Sequence, residues 1–355
     1  METIPAIIDR ELAAPDGTSF SAAHVVVARS GKVLFDFAGG DAARYSGSTR
    51  DALAPEHRPP VTAQTRFDIA SLTKLLTAGT LLELLDRNHE SVDVPAHRYL
   101  PELADGPRSE ITLRHLLTHT AGYPPVWFGW RDRPSIEAAR AAILALDLEA
   151  PPGQRHRYSC LGYILAGIVA ERISGTTLDV LMRETMTDPL DMRSTGFRPA
   201  GPENTVATEF QLLPEQVVVH GRVHDETAWT LGGVAGNAGL FSTGSDLIRF
   251  AEELRTGDHG VLSPRTRAAM TTVQTPPGVE SEYGQAIGSR LGHDAFMGAL
   301  ADGGIGHTGF TGTLLLVHPA RELSLVALTN RVHPTRTVND PMAFRRELAA
   351  ALAVL

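Results

Sequence analysis

Ser71 and Lys74 lie three residues apart in the run FDIASLTK, which covers residues 67–74. If a helix begins at the serine, both side chains share one face and come close enough to hydrogen-bond. A serine hydroxyl becomes a strong nucleophile when a neighbouring base takes its proton, and a buried lysine that has lost its own proton can do this. The backbone N–H of a serine in the first turn can also stabilise an oxyanion. The spacing therefore fits covalent catalysis, although a helix cap followed by a surface lysine has the same spacing.

The scarcity of lysine supports the chemical interpretation. The chain has 32 basic residues, and only Lys32 and Lys74 are lysines. A guanidinium stays protonated at any working pH, whereas a buried ammonium can lose its proton. Lys32 follows Ser30-Gly31, which predicts an exposed hairpin turn. Lys74 is therefore the lysine that we expect to carry chemistry.

Two later segments carry residues that suit the same chemistry. Tyr158 stands directly before a predicted helix, where its hydroxyl can reach a cleft and share a proton with a nearby lysine. The run GHTGFTG at 306–312 predicts a strand whose glycines allow a ligand to approach the backbone. A tyrosine before a helix is more often a packing residue, and glycine-rich strand starts are common. Neither segment identifies a site by itself.

The elements that must position these residues follow from the hydrophobic periodicity. Strands are predicted at 23–29, 32–37, 312–318 and 322–329, and helices at about 4–14, from 71 onwards, and at 112–118, 135–147, 161–174, 177–187, 245–256 and 340–353. This order predicts an α+β fold in which an antiparallel sheet from both chain ends is flanked by helices, and an all-helical region lies between them. We expect a discontinuous sheet domain at 1–62 and 265–355, a mainly helical domain at 63–264, and the active site between the two.

Composition limits the classes of partner. The formal net charge is −9 and there is no block of basic residues, which argues against nucleic acid or an anionic membrane surface. The N-terminus lacks the basic and apolar segments of a signal peptide, and no apolar run could span a bilayer. We therefore expect a cytoplasmic protein with a small-molecule substrate, although a leader could have been removed. Oligomeric state stays open.

The histidines and the lone cysteine point to no cofactor. His115 and His119 are four residues apart, but no His-Glu-x-x-His or clustered carboxylate pattern accompanies them. We expect neither a metal nor any other cofactor. Cys160 is the single cysteine of the chain, so an internal disulfide cannot form.

In their order and separation, these segments resemble the serine β-lactamase and penicillin-binding-protein superfamily. The nearest branch is the class C-like one, which contains esterases, transacylases, DD-peptidases and D-aminopeptidases. Two further runs are typical of that branch: ITLRHLLTHTAG at 111–122 and GGVAGNAGLFST at 232–243. The resemblance covers roughly residues 20–335 and implies a β-lactamase/transpeptidase-like fold.

The resemblance also implies roles for individual residues. Ser71 would be the acylated nucleophile, Lys74 its proton partner, and Tyr158 the general base or the acid for the leaving group. The backbone amides of Ser71 and Phe310 would form the oxyanion hole. The strand motif that contacts the substrate would be His307, Thr308 and Gly309.

Two departures from the family pattern affect the expected substrate. The usual Tyr-x-Asn is Tyr158-Ser159-Cys160, so the side-chain amide that contacts a substrate carbonyl is missing and Cys160 takes its place. The usual Lys-Thr-Gly begins with His307, which is only partly charged at neutral pH. Both changes favour esters over penicillin-like substrates.

We therefore expect a serine hydrolase that works through a covalent acyl-enzyme, as a carboxylesterase or acyltransferase on small esters. The alternatives are amide chemistry, as in a D-aminopeptidase, DD-peptidase or β-lactamase, and a catalytically silent sensor. Trp127, with Phe128 and Trp130, would either line an apolar acyl or alcohol pocket or close the core.

Overall fold

Strands from both ends of the chain form the main sheet. The structure is a computed structural model that describes residues 2–15, 18–337 and 341–354. Its strands, in chain order, are β1 (Ala22–Arg29), β2 (Lys32–Gly40), β3 (Tyr45–Ser46), β4 (Asp51–Ala52), β5 (Phe67–Asp68), β6 (Gly196–Phe197), β7 (Phe210–Gln211), β8 (Val217–Val218), β9 (Leu240–Ser242), β10 (Gly284–Gln285), β11 (Arg290–Leu291), β12 (Ile305–Thr308), β13 (Leu314–His318) and β14 (Leu323–Thr329). In the described residues, the main sheet is antiparallel with the order β10-β11-β12-β13-β14-β1-β2.

The central strands are mostly apolar because both faces of the sheet are covered. β1 and β14 pair in the register Val26↔Val326 and are buried along nearly their whole length. β1 and β2 are joined by Ser30 and Gly31, which both have positive φ, 50° and 77°. This geometry suits a two-residue hairpin turn that matches the twist of its strands. Lys32 is exposed beside this turn, as expected.

Helices cover the two faces of the sheet and build the region beside it. They are α1 (Ile4–Leu12), α2 (Thr73–Arg87), α3 (Leu113–Leu117), α4 (Ile136–Leu144), α5 (Cys160–Ser174), α6 (Leu178–Met182), α7 (Glu226–Thr230), α8 (Gly244–Thr256), α9 (Pro264–Thr271), α10 (Asp294–Met297) and α11 (Pro341–Ala353). Side chains alternate across a strand, so Val25 and Val27 of β1 face α1 and α11, whereas Val26 and Ala28 face α8.

Two buried helices, α2 and α5, begin at the candidate catalytic residues: Lys74 lies in the first turn of α2, and Ser71 and Tyr158 directly precede α2 and α5. α2 is buried on almost every side, which its apolar composition allows. α5 begins after Ser159, whose Oγ accepts the Leu161 N–H at 3.2 Å, and ends at Gly175 in the left-handed conformation. Gly162 lets α5 come close to α3, because a Cβ there would lie 2.4 Å from the Leu116 carbonyl oxygen.

The predicted α+β fold is confirmed, with differences in detail. Ser71 lies in a separate 3-10 turn, Ala70–Leu72, directly before α2. The predicted helix at 177–187 is α6 followed by a π-helical turn at Arg183–Thr187, and α7, α9 and α10 had no predicted counterpart. The predicted first residue of the last helix, 340, lies outside the described residues. The division into two domains at 62/63 and 264/265 stays a prediction. Helix α8, which belongs to the predicted helical domain, packs against the sheet.

In the described ranges, no helix combines the length and the apolar character needed to cross a bilayer. The expected cytoplasmic location stays a prediction.

Candidate active site

Ser71 lies in a turn that a buried carboxylate holds in place. Ala70, directly before it, has φ of 47°, a left-handed conformation that costs a non-glycine residue about 1–3 kcal/mol. Its N–H donates to Asp68 Oδ1 at 2.8 Å, and the backbone N–H of His224 donates to Asp68 Oδ2 at 2.7 Å. Asp68 therefore fixes the strained backbone that presents the serine.

The structure brings Ser71, Lys74 and Tyr158 together. Lys74 Nζ donates to Ser71 Oγ at 2.9 Å, and the Tyr158 hydroxyl donates to the same oxygen at 3.0 Å. Lys74 Nζ also donates to the Asn237 carbonyl oxygen at 3.0 Å and lies 3.7 Å from Cys160 Sγ. Two candidate proton carriers thus reach one serine oxygen.

The charge of Lys74 differs from the sequence expectation. Lys74 is completely buried, and burial by itself lowers the pKa of an ammonium. The negative charge that Cys160 and Tyr158 carry when ionised outweighs burial and raises the pKa of Lys74 above its ordinary value. Lys74 is therefore an ammonium whenever one of these two neighbours is ionised. In that state it can stabilise negative charge on the Ser71 or Tyr158 oxygen, but it cannot accept a proton.

Tyr158 has a second cation beside it that the sequence did not indicate. The Arg290 guanidinium carbon lies 4.9 Å from the Tyr158 ring centroid, and Lys74 Nζ lies 5.1 Å from it. Arg290 belongs to β11 and pairs in the sheet with Gly306, next to His307. Among the described residues, its buried Nε has no hydrogen-bond partner. No local sequence signal pointed to Arg290, because its position beside the strand motif follows from the pairing of β11 with β12.

His307 is neutral in this environment. It is buried, and its Nδ1 donates to the Thr308 carbonyl oxygen at 2.8 Å. Burial, followed by the charges of Arg290 and Lys74, holds the pKa of His307 well below its usual range. Its Nε2 is left as an acceptor with no partner in the part of the chain that the structure describes. The partial positive charge expected at this position is therefore absent at neutral pH.

The segment that carries Phe310 lies against the turn that carries Ser71. Thr313 Oγ1 donates to the Ile69 carbonyl oxygen at 3.0 Å. Gly309 permits this contact, because a Cβ there would lie 2.6 Å from the same oxygen. Within the described ranges, no protein acceptor pairs with the backbone amide of Ser71 or of Phe310. Both amides are thus available to a ligand, as an oxyanion hole requires.

The other residues predicted to contact the substrate differ from one another in burial and position. Thr308 ends β12, one residue after His307. Cys160 is half-buried at the start of α5, and burial raises the pKa of its thiol, so it is not an activated nucleophile. Trp127 is buried in the main core, whereas Phe128 is 57% exposed. The core alternative therefore fits Trp127, and Phe128 is the ring available to a ligand.

The two spaced histidines have local hydrogen-bonding partners. His115 Nδ1 accepts the Thr112 N–H at 3.2 Å in a capping box of α3, and His119 Nδ1 accepts the Ser159 N–H at 3.2 Å. The described residues contain no group of three or more His, Cys, Asp or Glu side chains placed to hold a metal ion.

Several known proteins share this architecture. A protein of Escherichia coli (strain K12) named "Putative D-alanyl-D-alanine carboxypeptidase" is 28% identical over 374 residues, which cover 94% of this chain and 83% of that protein. EstCE1, a hydrolase with promiscuous acyltransferase activity, has a TM-score of 0.74 at 24% identity, covering 98% of this chain and 97% of its own. Simvastatin synthase (LovD) from Aspergillus terreus has a TM-score of 0.76 at 18% identity, and the match covers 100% of this chain and 98% of that one. At these identities the two solved structures show a common fold.

The family is shown by a match along nearly the whole chain. The family model described as "Beta-lactamase" matches residues 8–350, a range that contains every candidate site residue. The chain is therefore a serine hydrolase that belongs to the β-lactamase family.

Proposed function

We propose that this hydrolase cleaves carboxylic esters through an acyl-enzyme on Ser71 and can pass the acyl group to an alcohol as well as to water. The observation that carries the proposal is the double hydrogen bond to Ser71 Oγ, from Lys74 Nζ at 2.9 Å and from the Tyr158 hydroxyl at 3.0 Å. When Tyr158 is a phenolate, the same contact lets it accept the serine proton, and the Lys74 ammonium stabilises the negative charge, so Ser71 has the partners that nucleophilic attack requires.

The proposed steps use these groups in sequence. Tyr158, as phenolate, takes the proton of Ser71 while the Lys74 ammonium stabilises the negative charge. The serine oxygen attacks the ester carbonyl carbon, and the amides of Ser71 and Phe310 stabilise the resulting oxyanion. Tyr158 then returns its proton to the leaving alkoxide. Water or a second alcohol releases the acyl group by the reverse sequence, which restores the free serine.

An apolar rim beside these residues supports esters with an apolar acyl or alcohol part. We define the apolar rim as the exposed side chains of Val126, Phe128, Leu212, Leu213 and Phe310, which are 43–67% accessible. Exposed apolar groups that cluster beside a reactive centre indicate contact with an apolar ligand.

Backbone contacts connect the rim to the site. The Cys160 N–H donates to the Pro125 carbonyl oxygen at 2.9 Å, which ties the segment of Val126 and Phe128 to the start of α5. Arg133 donates to the Pro214 carbonyl oxygen and so links that segment to the loop of Leu212 and Leu213. These contacts support a substrate orientation in which the substituents extend from Ser71 towards the rim.

A second candidate function is carboxypeptidase activity on peptides, and Arg290 favours it. The guanidinium beside Tyr158 is a fixed cation close to the strand motif, and its buried Nε lacks a partner among the described residues. Such a group can hold the terminal carboxylate of a peptide. The name of the Escherichia coli relative agrees with this possibility.

Mass spectrometry of the intact protein separates these functions. The protein is incubated in turn with a fluorophosphonate, p-nitrophenyl esters, D-alanyl-D-alanine peptides and nitrocefin, and the Ser71→Ala variant is the control. We expect a fluorophosphonate adduct and ester turnover that both require Ser71. Peptide turnover without ester turnover would favour the second function. A Ser71→Ala variant that hydrolyses esters at the wild-type rate would contradict both.

A further inference from the structure

A polar cluster centred on the buried residues His224 and Glu209 packs against Phe310. His224 Nε2 donates to Glu209 Oε2 at 2.9 Å, and both side chains are buried. Arg336 Nε donates to Glu209 Oε1 at 2.8 Å, and a terminal nitrogen of Arg336 donates to Glu226 Oε1 at 2.8 Å. None of these side chains has a place in the proposed chemical steps.

One side of the cluster is connected to Ser71. The backbone N–H of His224 donates to Asp68 Oδ2 at 2.7 Å, and the other oxygen of that carboxylate accepts the Ala70 N–H at 2.8 Å. Ala70 has the strained φ of 47° that presents Ser71. Any movement of His224 therefore acts on the turn whose amide forms one half of the oxyanion hole.

The other side of the cluster is connected to Phe310. The His224 ring stacks on the Phe310 ring with 5.7 Å between centroids and 23° between planes. The guanidinium carbons of Arg331 and Arg336 lie 4.8 and 5.3 Å from the Phe310 centroid. Arg331 Nε also donates to the Phe310 carbonyl oxygen at 2.9 Å. Phe310 is 46% exposed, but three side chains hold it, and its amide is the other half of the hole.

We propose that His224, held by Glu209, is a positioning residue that sets the Ser71 and Phe310 amides relative to each other. This inference rests on the proposed acyl-enzyme chemistry. Oxyanion-hole donors are effective when they are already in place and need no reorganisation during the reaction. His224 contacts both halves at once, through its backbone to Asp68 and through its ring to Phe310.

The ionised state of Glu209 favours a rigid support for the His224 ring. Burial tends to raise the pKa of Glu209, but hydrogen bonds from His224 and Arg336 lower that pKa to about 2. Glu209 is therefore a carboxylate at working pH and keeps its hold on the His224 ring. An ionised, fully hydrogen-bonded group of this kind restricts side-chain movement more than a neutral contact does.

Kinetics of the His224→Ala variant test the proposal. The variant removes the ring and the bond to Glu209 but keeps the backbone N–H to Asp68. For p-nitrophenyl acetate we expect kcat to fall by about 10–100-fold, as for a misplacement of the reacting groups by about 1 Å, and KM to change less than about 3-fold. The inhibition constant of a methylboronic acid, whose tetrahedral adduct places an oxygen in the hole, should rise in parallel with the fall in kcat. His224→Gln, which can still donate to Glu209, should recover part of kcat.

A matched control distinguishes positioning from general stability. Glu253 is another buried carboxylate that accepts several hydrogen bonds, from the backbone of the loop after α8. Glu253→Gln should lower the melting temperature and leave kcat unchanged, whereas Glu209→Gln should lower both. Glu209→Gln also serves if His224→Ala does not fold.

The outcomes separate this inference from the proposed function. If wild-type Ser71 takes no fluorophosphonate label, the acyl-enzyme proposal fails and the positioning role fails with it. If the wild type is labelled and active, but His224→Ala and Glu209→Gln keep kcat and the boronic acid affinity within about 3-fold, the positioning role alone is overturned.

Discussion

The guanidinium carbon of Arg290 lies 4.9 Å from the ring centroid of Tyr158. With Lys74 Nζ at 5.1 Å from the same centroid, the tyrosine has two cations beside it, although the strand motif has lost its lysine. Arg290 thus supplies positive charge near the position where His307 is neutral. The positive charge that the strand motif lacks at His307 is therefore supplied from the neighbouring strand, a position that the sequence did not indicate.

Arg290→Gln should discriminate between the two candidate functions. Charge-assisted hydrogen bonds contribute about 1.5–3 kcal/mol, so KM for a substrate with a free carboxylate should rise by about 10–100-fold. KM for the neutral p-nitrophenyl acetate should stay within about 2-fold. The control is Arg98→Gln, because Arg98 pairs with Glu90 on the surface. Equal changes for both substrates would exclude carboxylate binding by Arg290.

Tyr158→Phe should lower kcat for ester hydrolysis by about 10²–10⁴-fold, the usual contribution of general acid–base catalysis. The change removes the hydroxyl that donates to Ser71 Oγ at 3.0 Å and leaves the ring in place. Tyr163→Phe is the control, since that hydroxyl donates to the Leu117 carbonyl oxygen at 2.8 Å inside the core. It should cost about 1 kcal/mol in the free energy of unfolding and leave kcat unchanged. A Tyr158→Phe variant with more than about a tenth of wild-type kcat would assign the base to another group.

The parts of the fold that depend on local pattern were predictable. The spacing of Ser71 and Lys74 predicts a contact within one helical turn, and the Nζ–Oγ distance of 2.9 Å in the structure agrees with it. The apolar runs of β1 and β14 likewise predicted buried strands from the two chain ends. In both cases the spacing of residues along the chain is enough to make the prediction.

Features that depend on long-range contact were not predictable. Arg290 belongs to a two-residue strand, and its approach to Tyr158 follows from the pairing of β11 with β12, which no local pattern specifies. The ionisation of Lys74 depends on Cys160, 86 residues further along the chain. Burial by itself suggested a neutral amine, but only the folded chain places the groups that oppose this effect.

The unfolding free energy should fall in mild acid, in part because of His24. His24 is fully buried, its Nδ1 accepts the Gly244 N–H at 3.1 Å, and burial lowers its pKa below the ordinary 6.5. Below about pH 6.5 the unfolded chain binds a proton at this position that the folded chain does not, so stability decreases as pH falls towards the folded-state pKa. Guanidinium denaturation at pH 7.5 and 5.5 measures this slope.

His24→Asn provides the comparison for that slope. An asparagine side-chain oxygen can accept the Gly244 N–H without titrating, so the variant should lose less stability than the wild type between the two pH values. Other buried histidines contribute equally to both proteins and cancel in the difference. Identical slopes would show that His24 does not take part in the acid sensitivity.

The apolar rim should determine the preference for acyl chain length. Phe128 is 57% exposed, and covering about 50 Å² of its ring with an acyl chain would contribute about 1.3 kcal/mol, or close to 10-fold in kcat/KM. Phe128→Ser should therefore lower kcat/KM for p-nitrophenyl octanoate by about 10-fold and leave the value for p-nitrophenyl acetate unchanged. Leu34→Ser is the matched control, because Leu34 is also 57% exposed but lies on β2, at the edge of the sheet opposite β10. If both variants lose octanoate activity equally, or if the acetate and octanoate values fall together, the rim does not bind the acyl chain.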